Sequence, residues 1–217
     1  MQNKFRIIYN PWFHALVLLW VIVGGTLLLT YSKQQLFVAV NGAYTPFLDK
    51  IMYPVTHLGQ PEVIVPTLLL LIGVKKFRNW WYIITAISCN ILPLLTQQIM
   101  KQIFYHPRPL KFYQHADWIH FIKSDWPELT GNNSFPSGHS QGAFSFFCFL
   151  TLLLPAKYRM AGVIFFLLAL SVCYSRMYLA AHFFEDVYTG SIIGAVTTTI
   201  MFSFLLRYKG RLGGERL

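Results

Sequence analysis

Residues 175–206 read SRMYLAAHFFEDVYTGSIIGAVTTTIMFSFLL. The last twenty, Val187 to Leu206, carry no charge, and that length suits a helix crossing a hydrocarbon layer of roughly 30 Å. The first twelve place Arg176, His182, Glu185 and Asp186 directly at its edge. Ionisable groups at membrane depth are costly, so they mark functional positions rather than packing. The whole chain supports the membrane reading: of its 217 residues 55% are hydrophobic and 12% charged, against about 25% charged in an ordinary soluble domain.

Working outward, Trp80 to Met100 also lacks charge, and between Pro11 and Ser32 only His14 and Tyr31 are ionisable. His57 to Val74, Gly138 to Leu154 and Met160 to Tyr174 are weaker apolar runs, the first with Glu62 near its start. The expectation is an all-α polytopic protein with six transmembrane helices in a single domain over residues 1–217, because neither a repeat nor a domain-length linker interrupts it. The first span follows Lys4 and Arg6 but is long for a signal peptide and lacks a small-x-small site before Lys33. It reads as a retained anchor. Cys89, Cys148 and Cys173 fall in three different spans, as apolar packing residues do.

The formal charge of +10 is a topology signal. Lys4 and Arg6, then Lys75, Lys76 and Arg78, then Lys157 and Arg159, then Arg207, Lys209, Arg211 and Arg216 all fall on one side of a six-span layout, with Glu215 the one acidic residue there. The positive-inside rule makes that side, with both termini, cytoplasmic. A nucleic-acid partner is not needed to explain the basic excess. On the other face lie the stretch from Gln34 to Gly59, which has the apolar spacing of one or two amphipathic surface helices, and the polar segment Phe104 to Phe135.

That outer, extracytoplasmic face collects Lys101, Arg108, Pro136 to His139, Arg176, His182 and Asp186 from three separate stretches. Pro136 suits the first turn of a helix whose free N–H groups would bind an anion, with Gly138 permitting close approach and Ser137 adding a hydroxyl. A capped helix that binds nothing fits the same tetrapeptide. His182 and Asp186, four apart, share a helix face if the last helix has begun there, and the carboxylate could then set the imidazole tautomer. A purely structural hydrogen bond would use the same spacing. Glu185 points elsewhere and reads as a solvated neighbour. Together, three fixed cations and two histidines suit a multiply charged oxyanion. Neither an H-E-x-x-H pattern nor a carboxylate cluster suggests a metal, so neither metal nor cofactor is expected.

These residues resemble a known family. KQIFYHPRP from Lys101 matches Lys-x6-Arg-Pro, PSGH from Pro136 matches a second motif, and SRMYLAAHFFED from Ser175 matches Ser-Arg-x5-His-x3-Asp. In this order they resemble the three-part signature of the type 2 phosphatidic acid phosphatase (PAP2) superfamily. The resemblance implies a PAP2-like helical core and metal-independent dephosphorylation of lipid phosphates through a phosphohistidine. By motif it implies His182 as nucleophile, Asp186 as its orienting partner and His139 as the acid. Lys101, Arg108, Ser137, Gly138 and Arg176 would hold the phosphoryl oxygens.

A site at bilayer depth then favours a membrane lipid substrate of the undecaprenyl pyrophosphate, phosphatidylglycerophosphate, phosphatidic acid or phosphorylated lipid A type. Residues 115–133, with Trp118 and Trp126, are expected to form a cap. A lipid phosphotransferase would need the same motifs, and an anion transporter is the third reading. Product analysis separates the first two, and flux without phosphate release would mark the third.

Overall fold

A computed structural model of the chain describes residues 7–114, 116–122 and 131–213. Lys4, Arg6, Trp126, Glu215 and Arg216, used above for topology and the cap, lie outside the described residues. The described residues are helical with no β-strand: α1 (Pro11–Thr30), α2 (Lys33–Asn41), α3 (Pro46–Thr56), α4 (Pro61–Ile72), α5 (Trp80–Ile103), α6 (Pro109–Phe112), α7 (Gly138–Leu153), α8 (Ala161–Tyr178) and α9 (Phe184–Leu205). A single bridge pairs His106 with Asn133.

Four helices, α1, α5, α8 and α9, are long and apolar enough to cross a membrane. A fifth candidate is α3 with α4, taken as one span bent by 56°. At 16 residues α7 is shorter, but it is the most deeply packed helix, with α5, α8 and α9 around it. The run expected to be continuous from His57 is therefore broken: a 3-10 turn, His57–Gly59, precedes Gln60, and α4 starts at Pro61. Pro61 permits a first helical turn but cannot continue the preceding one. Helix α8 runs a turn beyond the expected Tyr174, which puts Arg176 in its last turn rather than in a junction.

Glycines set how closely the central helices meet. A Cβ at Gly190 of α9 would overlap the Ser137 carbonyl oxygen, and one at Gly194 would overlap that of Gln141. The spacing of four puts both on one face of α9, so α7 lies directly against its backbone. Pro93 within α5 lacks an N–H, which leaves the Cys89 carbonyl without its helical donor. Ser145 Oγ of α7 and Thr198 Oγ1 of α9 donate to that oxygen at 2.8 and 3.0 Å, so the break in one helix becomes a join among three. The three cysteines are buried and free.

Helix α1 packs on α8 and α9. Asn10 caps it, accepting from Trp12 and Phe13 N–H at 3.1 Å each. Trp20 Nε1 donates to Ser191 Oγ at 2.8 Å, and His14 Nε2 lies 2.9 Å from Thr199 Oγ1, so these two side chains face inward. The stretch from Gln34 to Gly59 holds two short helices, α2 and α3, but the second runs into α4 as half of the bent pair rather than standing apart as a surface helix. On α2, Phe37 is fully buried, and its ring meets those of Tyr113, Trp118 and Phe183. Trp118 thus packs over α2.

Candidate active site

Three connections bring the polar residues together. Beyond α8 the chain reverses through Ala180, at φ 53°, a left-handed conformation that costs a non-glycine residue on the order of 1–2 kcal/mol. The turn lets Ala181 and His182 N–H donate to the Arg176 carbonyl at 3.0 and 3.2 Å, and it leaves His182 just ahead of α9. At the outer loop, Arg108 N–H donates to the Gly131 carbonyl at 3.1 Å and Ser134 N–H to that of His106 at 3.0 Å. These two bonds tie the Arg108 segment to the approach to α7. Ser137 N–H then donates to the Asp186 carbonyl at 3.0 Å, joining the start of α7 to that of α9.

The helix start differs in detail from the expectation. Ser137, not Pro136, is its boundary: Ser137 Oγ accepts from Ser140 N–H at 3.4 Å and from Ser140 Oγ at 3.0 Å. Its backbone N–H is used by Asp186, so amides available to an anion must come from the turn that follows, beginning at Gly138. Gln97 backs this turn, with Nε2 donating to the Pro136 carbonyl at 3.4 Å. His182 and Asp186 do not share a helix, since α9 begins at Phe184. Even so, His182 Nδ1 lies 3.4 Å from Asp186 Oδ2.

Asp186 Oδ2 also accepts from Phe183 N–H at 2.9 Å and from Ser134 Oγ, whose oxygen is 3.4 Å from His182 Nδ1. Ser134 is therefore a third member of the pair. It sits two residues before the PSGH motif with nothing in the local sequence to single it out. All three are buried.

The cations are close at hand. Arg176 and Arg108 are buried, with Arg176 Nη1 donating to Thr56 Oγ1 at 3.0 Å and Arg108 Nη1 to the Ala181 carbonyl at 3.3 Å. These two and Lys101, in the last turn of α5, act electrostatically on both His139 and His182. Burial first, then the charges of Arg108, Arg176 and Lys101, hold the His182 imidazole well below its ordinary value near 6.5. A neutral ring with Nδ1 facing a carboxylate keeps its proton there, and the lone pair is left on Nε2. The eight residues singled out from sequence thus converge at one end of the bundle.

Three further side chains belong to this cluster. Gln60 Nε2 lies 2.8 Å from His139 Nε2, and Gln60 Oε1 accepts from His57 Nδ1. Glu185 is not simply solvated: Lys33 Nζ of α2 pairs with it at 2.6 Å. Among the described residues, His106, Glu185 and Asp186 form one group with ligand-type atoms within 4.8 Å of one another, which no sequence motif announced. The Lys33 ammonium on Glu185 and the hydrogen bonds into Asp186 Oδ2 make it a poor cation site.

Comparison with known proteins bears on this arrangement. A family model described as the PAP2 superfamily matches residues 78–209. The chain is 25% identical over 182 residues to a lipid A 4'-phosphatase of Porphyromonas gingivalis, covering 82% of this chain and 75% of that protein. It is 30% identical over 163 residues to phosphatidylglycerophosphatase B of Bacillus subtilis, covering 69% and 71%. Among solved structures, LpxE of Aquifex aeolicus superposes with a TM-score of 0.65 at 26% identity, covering 79% of this chain and 96% of that one.

Proposed function

Because the chain belongs to the PAP2 superfamily and is one of its membrane phosphatases, we propose that it hydrolyses the phosphate of a membrane lipid through a phosphohistidine on His182. The observation that carries this reading is the pair of imidazoles set among Lys101, Arg108 and Arg176, with Asp186 and Ser134 on Nδ1 of one of them.

His182 Nε2 attacks phosphorus, Asp186 holds Nδ1–H and then stabilises the positive ring, and the three cations take up charge on the equatorial oxygens. Ser137 and the Gly138 turn supply shorter-range donors to the same oxygens. His139 gives a proton to the departing oxygen. It then takes one from the water that cleaves the phosphorus–nitrogen bond and releases phosphate. The relatives' names span a lipid A phosphate, phosphatidylglycerophosphate and undecaprenyl diphosphate, which are the candidate substrates.

The purified protein in detergent is expected to release inorganic phosphate from such lipids with excess EDTA present, and vanadate should inhibit it. Loss of activity on chelation with recovery on adding a divalent ion would rule out the metal-free reaction. Transfer of the phosphoryl group to a second lipid, without phosphate release, would make it a phosphotransferase.

The proposed topology counts α7 and the bent α3–α4 pair as spans, six in all, with the site extracytoplasmic and the termini cytoplasmic. Lys75, Lys76, Arg78, Lys157, Arg159, Arg207, Lys209 and Arg211 then lie together on the cytoplasmic side. A single cysteine introduced at Asp117 should react with an impermeant thiol reagent on intact cells, and one introduced at Gly210 should not. The reverse pattern would invert the protein.

A further inference from the structure

The break between α3 and α4 does more than bend a span. It leaves a short 3-10 turn, His57–Gly59, followed by Gln60 in extended conformation, and this turn lies against the start of α7. A Cβ at Gly59 would overlap the His139 carbonyl oxygen, and one at Gly142 would come within 2.6 Å of the Gly59 carbonyl oxygen. Non-helical backbone at membrane depth is tolerated where it lines a polar site. Here it delivers an amide between two imidazoles: Gln60 Nε2 sits 2.8 Å from His139 Nε2, and Gln60 Oε1 accepts from His57 Nδ1.

We propose that Gln60, backed by His57, is a positioning residue that holds the His139 imidazole for proton transfer to the leaving oxygen. The proposal rests on the phosphatase reading above. With the amide N–H donated to Nε2, the proton of a resting, neutral His139 is placed on Nδ1, the nitrogen that this proposal assigns to the substrate oxygen. When His139 is an imidazolium, the amide turns over: its oxygen accepts from Nε2–H and its NH2 donates to His57 Nδ1, which then carries the lone pair. An amide is suited to this because its two ends are alike in shape and opposite in hydrogen bonding. In both states Nδ1–H is aimed by the same side chain. The imidazolium gives Nδ1–H to the departing oxygen, keeps Nε2–H on the Gln60 oxygen, and regains the Nδ1 proton from the attacking water, so Gln60 is unchanged over a cycle.

The test compares leaving groups. An alkyl lipid phosphate needs protonation as it departs, whereas p-nitrophenyl phosphate needs little. Gln60→Met keeps the size of the side chain and removes both hydrogen bonds. It is expected to lower kcat for the lipid phosphate by about 10- to 100-fold with KM little changed, and to lower the rapid-quench rate of phosphoenzyme formation from p-nitrophenyl phosphate, the step that the leaving group controls, by less than about threefold. Gln60→Glu retains an acceptor for Nε2–H and should restore a large part of the lipid activity. His57→Phe keeps the ring but not the hydrogen bond, and should show the same leaving-group contrast in weaker form. Equal losses on both substrates, or an effect confined to KM, would overturn the proposal while leaving the phosphatase reading intact. A parent protein inactive on both substrates would instead remove that reading, and this one with it.

Discussion

His182→Ala is expected to abolish phosphoenzyme formation with every substrate, whereas His139→Ala should lose lipid turnover yet still be phosphorylated by an activated substrate such as p-nitrophenyl phosphate. His182 supplies the atom that bonds phosphorus, so nothing replaces it. His139 supplies only a proton, and a nitrophenolate leaves without one. Both losses on a lipid phosphate should be at least about 100-fold. In the His139 variant the phosphoenzyme should persist, because the base for its hydrolysis is gone. Acid-labile phosphate mapped to His182 after rapid quench checks this, and label on His139 would reverse the roles.

The same residue fixes the acid side of the pH profile. Since burial and neighbouring cations depress His182, the ring stays neutral at acidities that protonate a free imidazole. Protonation of His182 should therefore not reduce kcat/KM as pH falls through 6.5, and the loss belongs at lower pH. A His182 limb at or above 6.5 would show that the cations do not act on it.

Gly190→Ala and Gly194→Ala are expected to be the most damaging substitutions away from the reacting groups. Each added methyl meets a backbone carbonyl oxygen of α7, which cannot rotate away as a side chain can. The helices must separate or tilt, an overpacking strain of about 1–3 kcal/mol each. The Ser137 carbonyl that Gly190 faces belongs to the residue opening α7, so separation displaces His139 from His182. A misplacement of about 1 Å costs on the order of 100-fold in rate. Thermal unfolding in detergent and turnover should both fall, while Gly210→Ala, whose methyl meets nothing within 4 Å, should leave both unchanged. Parental stability and activity in Gly190→Ala would show that the α7–α9 contact is not as close as described.

Much of this protein is legible in its sequence because hydropathy and motif spacing are local properties. The uncharged runs of α1, α5 and α9 carry the length and hydropathy of a membrane span in consecutive residues, and the three motifs hold their spacing whatever surrounds them. The eight residues they contain, from Lys101 to Asp186, were identifiable without coordinates for that reason.

What tertiary structure decided is every pairing that depends on two distant segments meeting. Ser134 joins His182 and Asp186 only because the outer loop pairs back on the Arg108 segment. Glu185 is neutralised by Lys33 only because α2 lies against the start of α9. His57 and Gln60 look like the edge of an apolar run until the chain breaks at Gly59 and, lacking a side chain there, seats on α7 beside His139. Helix breaks of this kind are stabilised by the partner they touch, and no window of consecutive residues contains that partner.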